Sequence, residues 1–195
     1  MAAFPTPRAD EFLAILRERL PDKTFKHVNS VAEFMLFFAD QAGITQEQAV
    51  NAGLLHDLCK AMQGDVLLEA ADRYGIPVTP YQREKPGLLH GPVAAEECSR
   101  SLGVTDPGVY DAIYYHTTGR AGLSNVGLAL YLADFAEPLR ARPEADEARR
   151  ILSEEGFESA VRYAVETKLG FVARKFKVDP GAAAFARWIE HEWRP

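Results

Sequence analysis

The residues of this chain that could do chemistry are histidines and aspartates set among apolar neighbours. His56 and Asp57 stand side by side in an apolar stretch that runs from Gly53 to Leu58. Burying ionisable side chains is costly unless they are paired or bind a metal ion. Neighbouring helical positions point about a third of a turn apart, so this pair can share one ion only at a corner between the two side chains. Further ligands must therefore come from other parts of the chain.

Asp134 and His27 are the best candidates for those further ligands. Asp134 follows an apolar run that begins at Leu128, where an unpaired carboxylate would be costly. His27 lies on a largely apolar helical stretch. Pairing with an arginine such as Arg140 would explain Asp134 equally well, and a lone histidine is more often a packed residue than a ligand. The residues alone leave both interpretations open.

Basic and imidazole side chains near such a centre could bind an anionic ligand. Arg120 follows directly on Thr117, Thr118 and Gly119, in a loop able to present backbone N–H groups to an anion. Solvated or ion-paired arginines are nevertheless commoner than anion-binding ones. The candidates for binding an anion are His90, His116, Arg120 and Arg140, with Lys60 and Lys85 as helpers.

Helix signals along almost the whole chain predict an all-α fold that positions these residues. Thr45 and Gln48 form a capping box, and no sustained alternation or Asn-Gly turn indicates a sheet. Residues 76–89 are rich in proline and predict an ordered loop that borders a site. The predicted helices cover residues 9–20, 22–42, 45–58, 65–74 and 92–103, one opened by Asp106, one opened by Ser124, then 145–152, 157–175 and one opened by Asp179.

Size and composition narrow the class of protein. With 195 residues, 47% apolar and 26% charged, the chain has the size and composition of one soluble globular domain. A net charge of -6 argues against nucleic acid as a partner, because neutralising phosphates needs an excess of Lys and Arg. Two cysteines are too few for a disulfide framework, and no apolar run is long enough for a membrane span. We therefore expect a cytoplasmic protein that binds neither nucleic acid nor membrane.

The order of these residues resembles a known signature. Four of them follow the H…HD…D pattern of the HD phosphohydrolase superfamily: His27, His56, Asp57 and Asp134. Three segments are similar to motifs of the bacterial YqeK-type symmetrical bis(5'-nucleosyl)-tetraphosphatases: LLHGPVAA at 88–95, YHTTGR at 115–120 and ADFAEP at 133–138. The resemblance runs from about His27 to Arg140.

The resemblance implies an all-α HD-domain helical bundle. It would occupy residues 1–195 as a single domain, with an HD core at about 22–140 and C-terminal helices packed on it. The implied activity is symmetrical hydrolysis of diadenosine tetraphosphate to two ADP by metal-activated water. The implied cofactor is a divalent metal, namely iron, while manganese, cobalt or zinc also suit mixed nitrogen and oxygen ligands. A homodimer is compatible with the sequence.

The same resemblance implies roles for single residues. The metal ligands would be His27, His56, Asp57 and Asp134. His90 and His116 would face the substrate phosphates or a second ion, and with Asp57 they would form the catalytic set. Arg140 would contact the nucleotide. A proline-containing turn that also helps to hold the nucleotide would comprise Val178, Asp179 and Pro180, where little beyond the proline matches.

One position departs from the pattern of many relatives. Thr24 stands where they carry an arginine that contacts the nucleotide, three residues before His27. Lys26 or Lys85 would have to compensate for that arginine. The metal site is unaffected by this change.

Two other functions are compatible with the sequence. The first is a phosphohydrolase acting on a mononucleotide or another small phosphate ester, because fold does not decide substrate. The second is a nucleotide-sensing module with little turnover. The full set of inward ionisable groups speaks against the second, since a pure scaffold has no physical need for them.

Overall fold

A computed structural model of the chain describes residues 4–175 and 178–194. Within these residues all regular structure is helical, so the all-α prediction is confirmed. A 3-10 helix covers Pro86–Leu89. The α-helices are α1 Ala9–Arg19, α2 Asp22–Phe37, α3 Ala39–Ala42, α4 Gln46–Leu55, α5 Gly64–Tyr74, α6 Pro80–Glu84, α7 His90–Ser101, α8 Pro107–Tyr115, α9 Asn125–Ala136, α10 Pro143–Glu154, α11 Phe157–Lys175 and α12 Pro180–His191.

Helix starts that carry a local capping signal are confirmed. The Thr45 hydroxyl accepts a hydrogen bond from the backbone N–H of Gln48, and Oε1 of Gln48 accepts one from the backbone N–H of Thr45. Asp106 and Asp179 accept hydrogen bonds from the first backbone N–H groups of α8 and α12. These side chains satisfy donors that a helix N-terminus leaves without partners.

The single helix predicted over 22–42 is wrong, because the chain breaks at Phe38 into α2 and α3. Phe38 leaves helical geometry with φ -116° and ψ 16°. Its ring packs edge-on against Phe34 at 5.1 Å and stacks on Phe157 at 5.9 Å between centroids. Phe157 lies far along the chain, so tertiary packing sets the break.

The loop predicted over 76–89 is also wrong, because this segment contains α6 and the 3-10 helix. Thr79 caps α6 by accepting from the backbone N–H of Gln82, whose side chain bonds back to the Thr79 N–H. Pro80 occupies the first helical position, where its missing N–H costs nothing. The prolines of this segment therefore start helices.

Helix α9 lies at the centre of the fold and contacts α2, α4, α8, α10 and α11. Nearly all its side chains are buried, as expected for a helix that is apolar on every side. Beside it, α2 packs closely on α4 because position 53 is glycine. A Cβ atom on Gly53 would lie 2.5 Å from the Ala32 Cα.

The C-terminal helices extend this core. Helix α11 packs on α9 and α10, and α12 packs on α11. Phe185 of α12 lies so close to Gly119 that a Cβ there would be 2.0 Å from its ring, and Gly119 has φ +71°. Only glycine suits that position. None of the helices in 4–175 and 178–194 is long and apolar enough to cross a lipid bilayer.

Candidate metal centre

The predicted ligands meet where several helices end or begin. His27 lies on α2 and Asp134 on α9. The helix predicted to reach residue 58 ends at Leu55, so His56 is its C-cap and Asp57 lies in the turn that follows. His90 is the first residue of α7, and His116 is the C-cap of α8.

Three buried histidines make the same hydrogen bond to the backbone. In His56, His90 and His116, Nδ1 lies within hydrogen-bond distance of the carbonyl oxygen three residues earlier. These carbonyls belong to Gly53, Gly87 and Ile113, at 2.9, 2.5 and 2.8 Å. Because a carbonyl only accepts, Nδ1 carries the proton and Nε2 keeps a free lone pair. Such outer hydrogen bonds orient histidines that bind metals.

The Nε2 atoms converge on Asp57. Its Oδ1 atom lies 3.0 Å from Nε2 of His90 and 3.5 Å from Nε2 of His116. Its Oδ2 atom lies 3.7 Å from Nε2 of His56 and 4.0 Å from Nε2 of His27. The side chains thus form two potential metal-binding groups that share Asp57, with donor atoms within 4.8 Å of one another in each. Donor atoms of one coordination shell have comparable separations when each bond is about 2.1 Å long.

Buried atoms without partners show that these residues fit a cation. Nε2 of His56 and Oδ1 of Asp57 are buried and make no hydrogen bond. Nε2 of His90 and Nε2 of His116 lie 2.9 Å apart, and two lone pairs at that distance repel unless a cation or proton lies between them. Mixed imidazole and carboxylate donors suit a divalent transition metal. The cluster formed by the side chains of His27, His56, Asp57, His90 and His116 is therefore a candidate divalent metal site.

The charge states of the buried ligands also suit a metal. Burial lowers the pKa of His56 to about 3, so its imidazole is neutral. Burial opposes ionisation of Asp57, but the surrounding imidazoles hold the pKa of its carboxyl well below the usual range. Burial also lowers the pKa of His90. Neutral imidazoles and an ionised carboxylate are the forms that bind metal ions.

Glu137 orients His27 and has no role in the sequence-based prediction. Its Oε1 atom lies 3.1 Å from Nδ1 of His27, and its Oε2 atom accepts from the Ser30 hydroxyl at 2.5 Å and the Leu139 N–H at 2.6 Å. Burial lowers the pKa of His27, but hydrogen bonds with Asp134 and Glu137 outweigh this and raise it to about 9. The signal for Glu137 was its place in the ADFAEP segment.

Asp134 pairs with Arg140, as one of the two interpretations of the sequence predicted, and also contacts His27. Its Oδ1 atom lies 3.2 Å from Nε2 of His27 and accepts from Nη2 of Arg140 at 2.8 Å. Arg140 also donates through Nε to the Asp134 carbonyl at 3.1 Å. Asp134 therefore meets one predicted ligand, although it belongs to neither of the two groups centred on Asp57.

Lys168 is a second residue that sequence reasoning missed. It lies on α11, with Nζ 3.8 Å from Oδ2 of Asp134 and 4.1 Å from the centre of the Tyr131 ring. Burial lowers the pKa of this amine. Nothing in its local sequence marks Lys168, because only the packing of α11 on α9 brings it to the cluster.

The predicted phosphate-binding residues do not all lie at the cluster. Nζ of Lys60 lies 3.2 Å from Nε2 of His90 and 3.5 Å from Oδ1 of Asp57, with its side chain half exposed. Arg120 instead bonds to Asp111 at 2.6 Å, away from the cluster. Lys85 is exposed after α6, and none of the contacts described for 4–175 and 178–194 joins its side chain to the cluster.

Two cavities adjoin the cluster. A cleft of about 540 Å³ is lined by His27, Asp57, Lys60 and Arg140, together with Thr24 and Lys26. A second cavity, of about 600 Å³, lies beyond His116 and includes Arg120 and the predicted turn at 178–180. Of the two lysines expected to compensate for the arginine that Thr24 replaces, Lys26 lines the cleft beside Thr24, whereas Lys85 lines neither cavity.

Comparison with known families adds an independent line of evidence. The HD domain family matches residues 24–154. A Bacillus subtilis protein named symmetrical bis(5'-nucleosyl)-tetraphosphatase is 30% identical over 166 residues, which cover 85% of this chain and 88% of the relative. A Staphylococcus aureus protein of the same name is 32% identical over 144 residues, covering 73% of each chain.

The fold also has a solved counterpart. A crystal structure from Clostridium acetobutylicum, described as a predicted HD superfamily hydrolase involved in NAD metabolism, superposes with a TM-score of 0.88. It is 26% identical and covers 94% of this chain and 97% of its own. The similarity therefore includes the C-terminal helices as well as the metal-site core.

Proposed function

This chain belongs to the HD domain family, and from that membership we propose that it is a phosphohydrolase that cleaves diadenosine tetraphosphate symmetrically into two ADP. The observation that carries the proposal is the convergence of unprotonated Nε2 atoms on Asp57. The names of the relatives from Bacillus subtilis and Staphylococcus aureus support the choice of substrate.

The proposed metal ligands fall into two sets that share Asp57. His27, His56, Asp57 and Asp134 would hold one ion, and Asp57, His90 and His116 would hold a second. When bound, such a cation supplies positive charge that polarises a phosphoryl oxygen and makes an attacking water more acidic. We propose iron(II) as the ion, with manganese(II), cobalt(II) and zinc(II) as the ions to compare.

The chain's own side chains complete the proposed reaction. Oδ1 of Asp57, which makes no hydrogen bond, would accept a proton from the attacking water. Lys60, Arg140 and the partly buried Lys168 surround the cluster with positive charge. Their charges would stabilise the departing ADP. Because water would be the attacking group, no Ser or Cys nucleophile is required.

One nucleoside of the substrate would occupy the second cavity. Thr117 lines that cavity, and its Oγ1 atom lies 3.1 Å from Nε2 of His116, so the cavity comes within one side chain of the cluster. Arg120, stacked over the Tyr115 ring at 4.9 Å, and the turn at 178–180 line its far side. Arg120 would therefore contact this nucleoside.

A cytoplasmic location, a homodimeric state and no binding of nucleic acid or membrane stay part of the proposal. The net charge of -6 supports a small nucleotide partner in preference to a polynucleotide. Gel filtration coupled to light scattering measures the oligomeric state directly.

The test is a product analysis with the purified chain. Diadenosine tetraphosphate is incubated with iron(II) or manganese(II), and the products are resolved by ion-exchange chromatography. The proposal predicts ADP as the sole product and none from a His56→Ala variant whose circular dichroism matches that of the wild type. ATP plus AMP would place the cleavage elsewhere, and turnover of only simple phosphate esters would contradict the proposed substrate.

A further inference from the structure

A third cavity, which we call the α2 groove, lies beside the metal cleft. It has a volume of about 670 Å³ and is lined by Phe25, Phe34, Phe37, Pro138 and Leu139, with Lys26 and Glu33 at its edges. Phe37 is 74% exposed and Leu139 60% exposed. Exposed apolar side chains gathered in one groove mark a binding surface.

The groove offers flat aromatic surface. The rings of Phe34 and Phe37 are stacked, with centroids 6.3 Å apart and an interplanar angle of 11°. Phe34 is buried, so it supports the exposed Phe37 from below. Aromatic rings held this way are platforms on which nucleobases stack.

The α2 groove is continuous with the metal cleft. Lys26 and Leu139 line both cavities, and the cleft also contains His27 and Asp57. Phe37 lies on the same helix as His27, about 15 Å further along the axis. A diphosphate, a ribose and a purine ring together can cover that distance, so one ligand can reach the cluster and the groove together.

Resting on the proposed function, we propose that the α2 groove binds the base of the second nucleoside of the substrate. Symmetrical cleavage leaves one nucleoside on each side of the cut bond, and the second cavity accounts for only one of them. The groove supplies the missing place on the other side.

The charged residues that line the groove suit a nucleotide as the ligand. Lys26 stands between groove and cleft, where the phosphates adjoining the second ribose would pass. Glu33 lies further along α2, and its carboxylate can accept a hydrogen bond from an exocyclic amine of a purine. A wholly apolar peptide would leave both charges without a partner.

The test compares Phe37→Ala with Phe171→Ala, which removes another exposed ring, on α11. For diadenosine tetraphosphate, Phe37→Ala should raise KM about tenfold and act far less on kcat, because one stacked base is lost. Phe171→Ala should leave KM unchanged, and Phe37→Trp should restore tight binding. An unchanged KM in Phe37→Ala would overturn the inference.

A binding measurement separates this inference from the proposed function. Calorimetric titration with ADP in the presence of manganese(II) should give two sites per wild-type chain, one of which Phe37→Ala weakens about tenfold. That result without hydrolysis by the wild type would contradict the proposed function and support the groove. One ADP site in both proteins, or a dimer that Phe37→Ala dissociates, would overturn the inference.

Discussion

Oε1 of Glu137 lies 3.1 Å from Nδ1 of His27, a residue 110 positions earlier in the chain. The bond joins the end of α9 to α2 and directs Nε2 of His27 towards the cluster. A carboxylate behind a metal-binding histidine fixes the ring and raises its basicity. Glu137 thus orients a proposed metal ligand, although it belongs to neither group of potential ligands itself.

Replacing Glu137 with glutamine should weaken metal binding about 10- to 100-fold, since the amide carries no charge to support the imidazole. Manganese(II) affinity measured by calorimetry checks this. Glu69→Gln, at an exposed position on α5, is the matched control and should bind like the wild type. Equal affinities in the two variants would show that Glu137 does not support His27.

Gly53→Ala should lower the free energy of unfolding by about 1–3 kcal/mol, because the added methyl overpacks the α2–α4 contact. The new Cβ would meet the backbone of Ala32 and push apart the helices that carry His27 and His56. Urea unfolding measures the change. Gly170→Ala, inside α11 with only Arg174 within reach, should be neutral or slightly stabilising.

Lys168→Met should lower kcat about 100-fold with a smaller effect on KM, because it removes a positive charge that acts on the departing phosphate. The methionine keeps most of the packing against Tyr131. Steady-state kinetics on diadenosine tetraphosphate checks the prediction. Lys175→Met, at an exposed position of the same helix, should keep wild-type kinetics. Similar kcat values for both variants would remove Lys168 from the reaction.

The two cysteines should resist alkylation in the folded protein. Burial, together with the nearby Glu97 carboxylate, raises the pKa of the Cys59 thiol, and burial raises that of Cys98. A raised pKa keeps the thiol neutral as pH increases to about 9, where an ordinary thiol ionises. Iodoacetamide labelling followed by mass spectrometry should stay low across this range and rise after unfolding. Fast labelling of the native chain near pH 9 would contradict it.

Local signals were enough to predict most of the fold. The caps at Thr45, Asp106 and Asp179 act within one turn of the chain, so their helices could be placed from sequence. The break at Phe38 depends on contact with Phe157, and no local residue indicates it. For the segment 76–89, a Thr79 and Gln82 capping box was present, but the prolines favoured the wrong interpretation.

Some residues of the candidate site could likewise be predicted from local sequence, and others could not. His56 and Asp57 were predictable because an ionisable pair in an apolar stretch is costly. Lys168 and the α2 groove could not be predicted from sequence, because nothing local marks this lysine or these phenylalanines. They form part of the site only because α11 and the 138–140 segment pack beside the cluster. The carbonyl bonds that fix Nε2 of His90 and His116 likewise depend on backbone geometry at helix ends.

Metal-dependent catalysis at the cluster is tested most directly by titrating the metal-free chain with manganese(II) while bound ion and ADP formation are measured in the same samples. ADP production from diadenosine tetraphosphate should rise in step with ion bound to the cluster. Asp57→Asn, which alters the carboxylate shared by both groups, should lose ion binding and activity together. Full activity in the metal-free chain, or an Asp57→Asn variant that still produces ADP at the wild-type rate, would show that the cluster is not a metal-dependent catalytic centre.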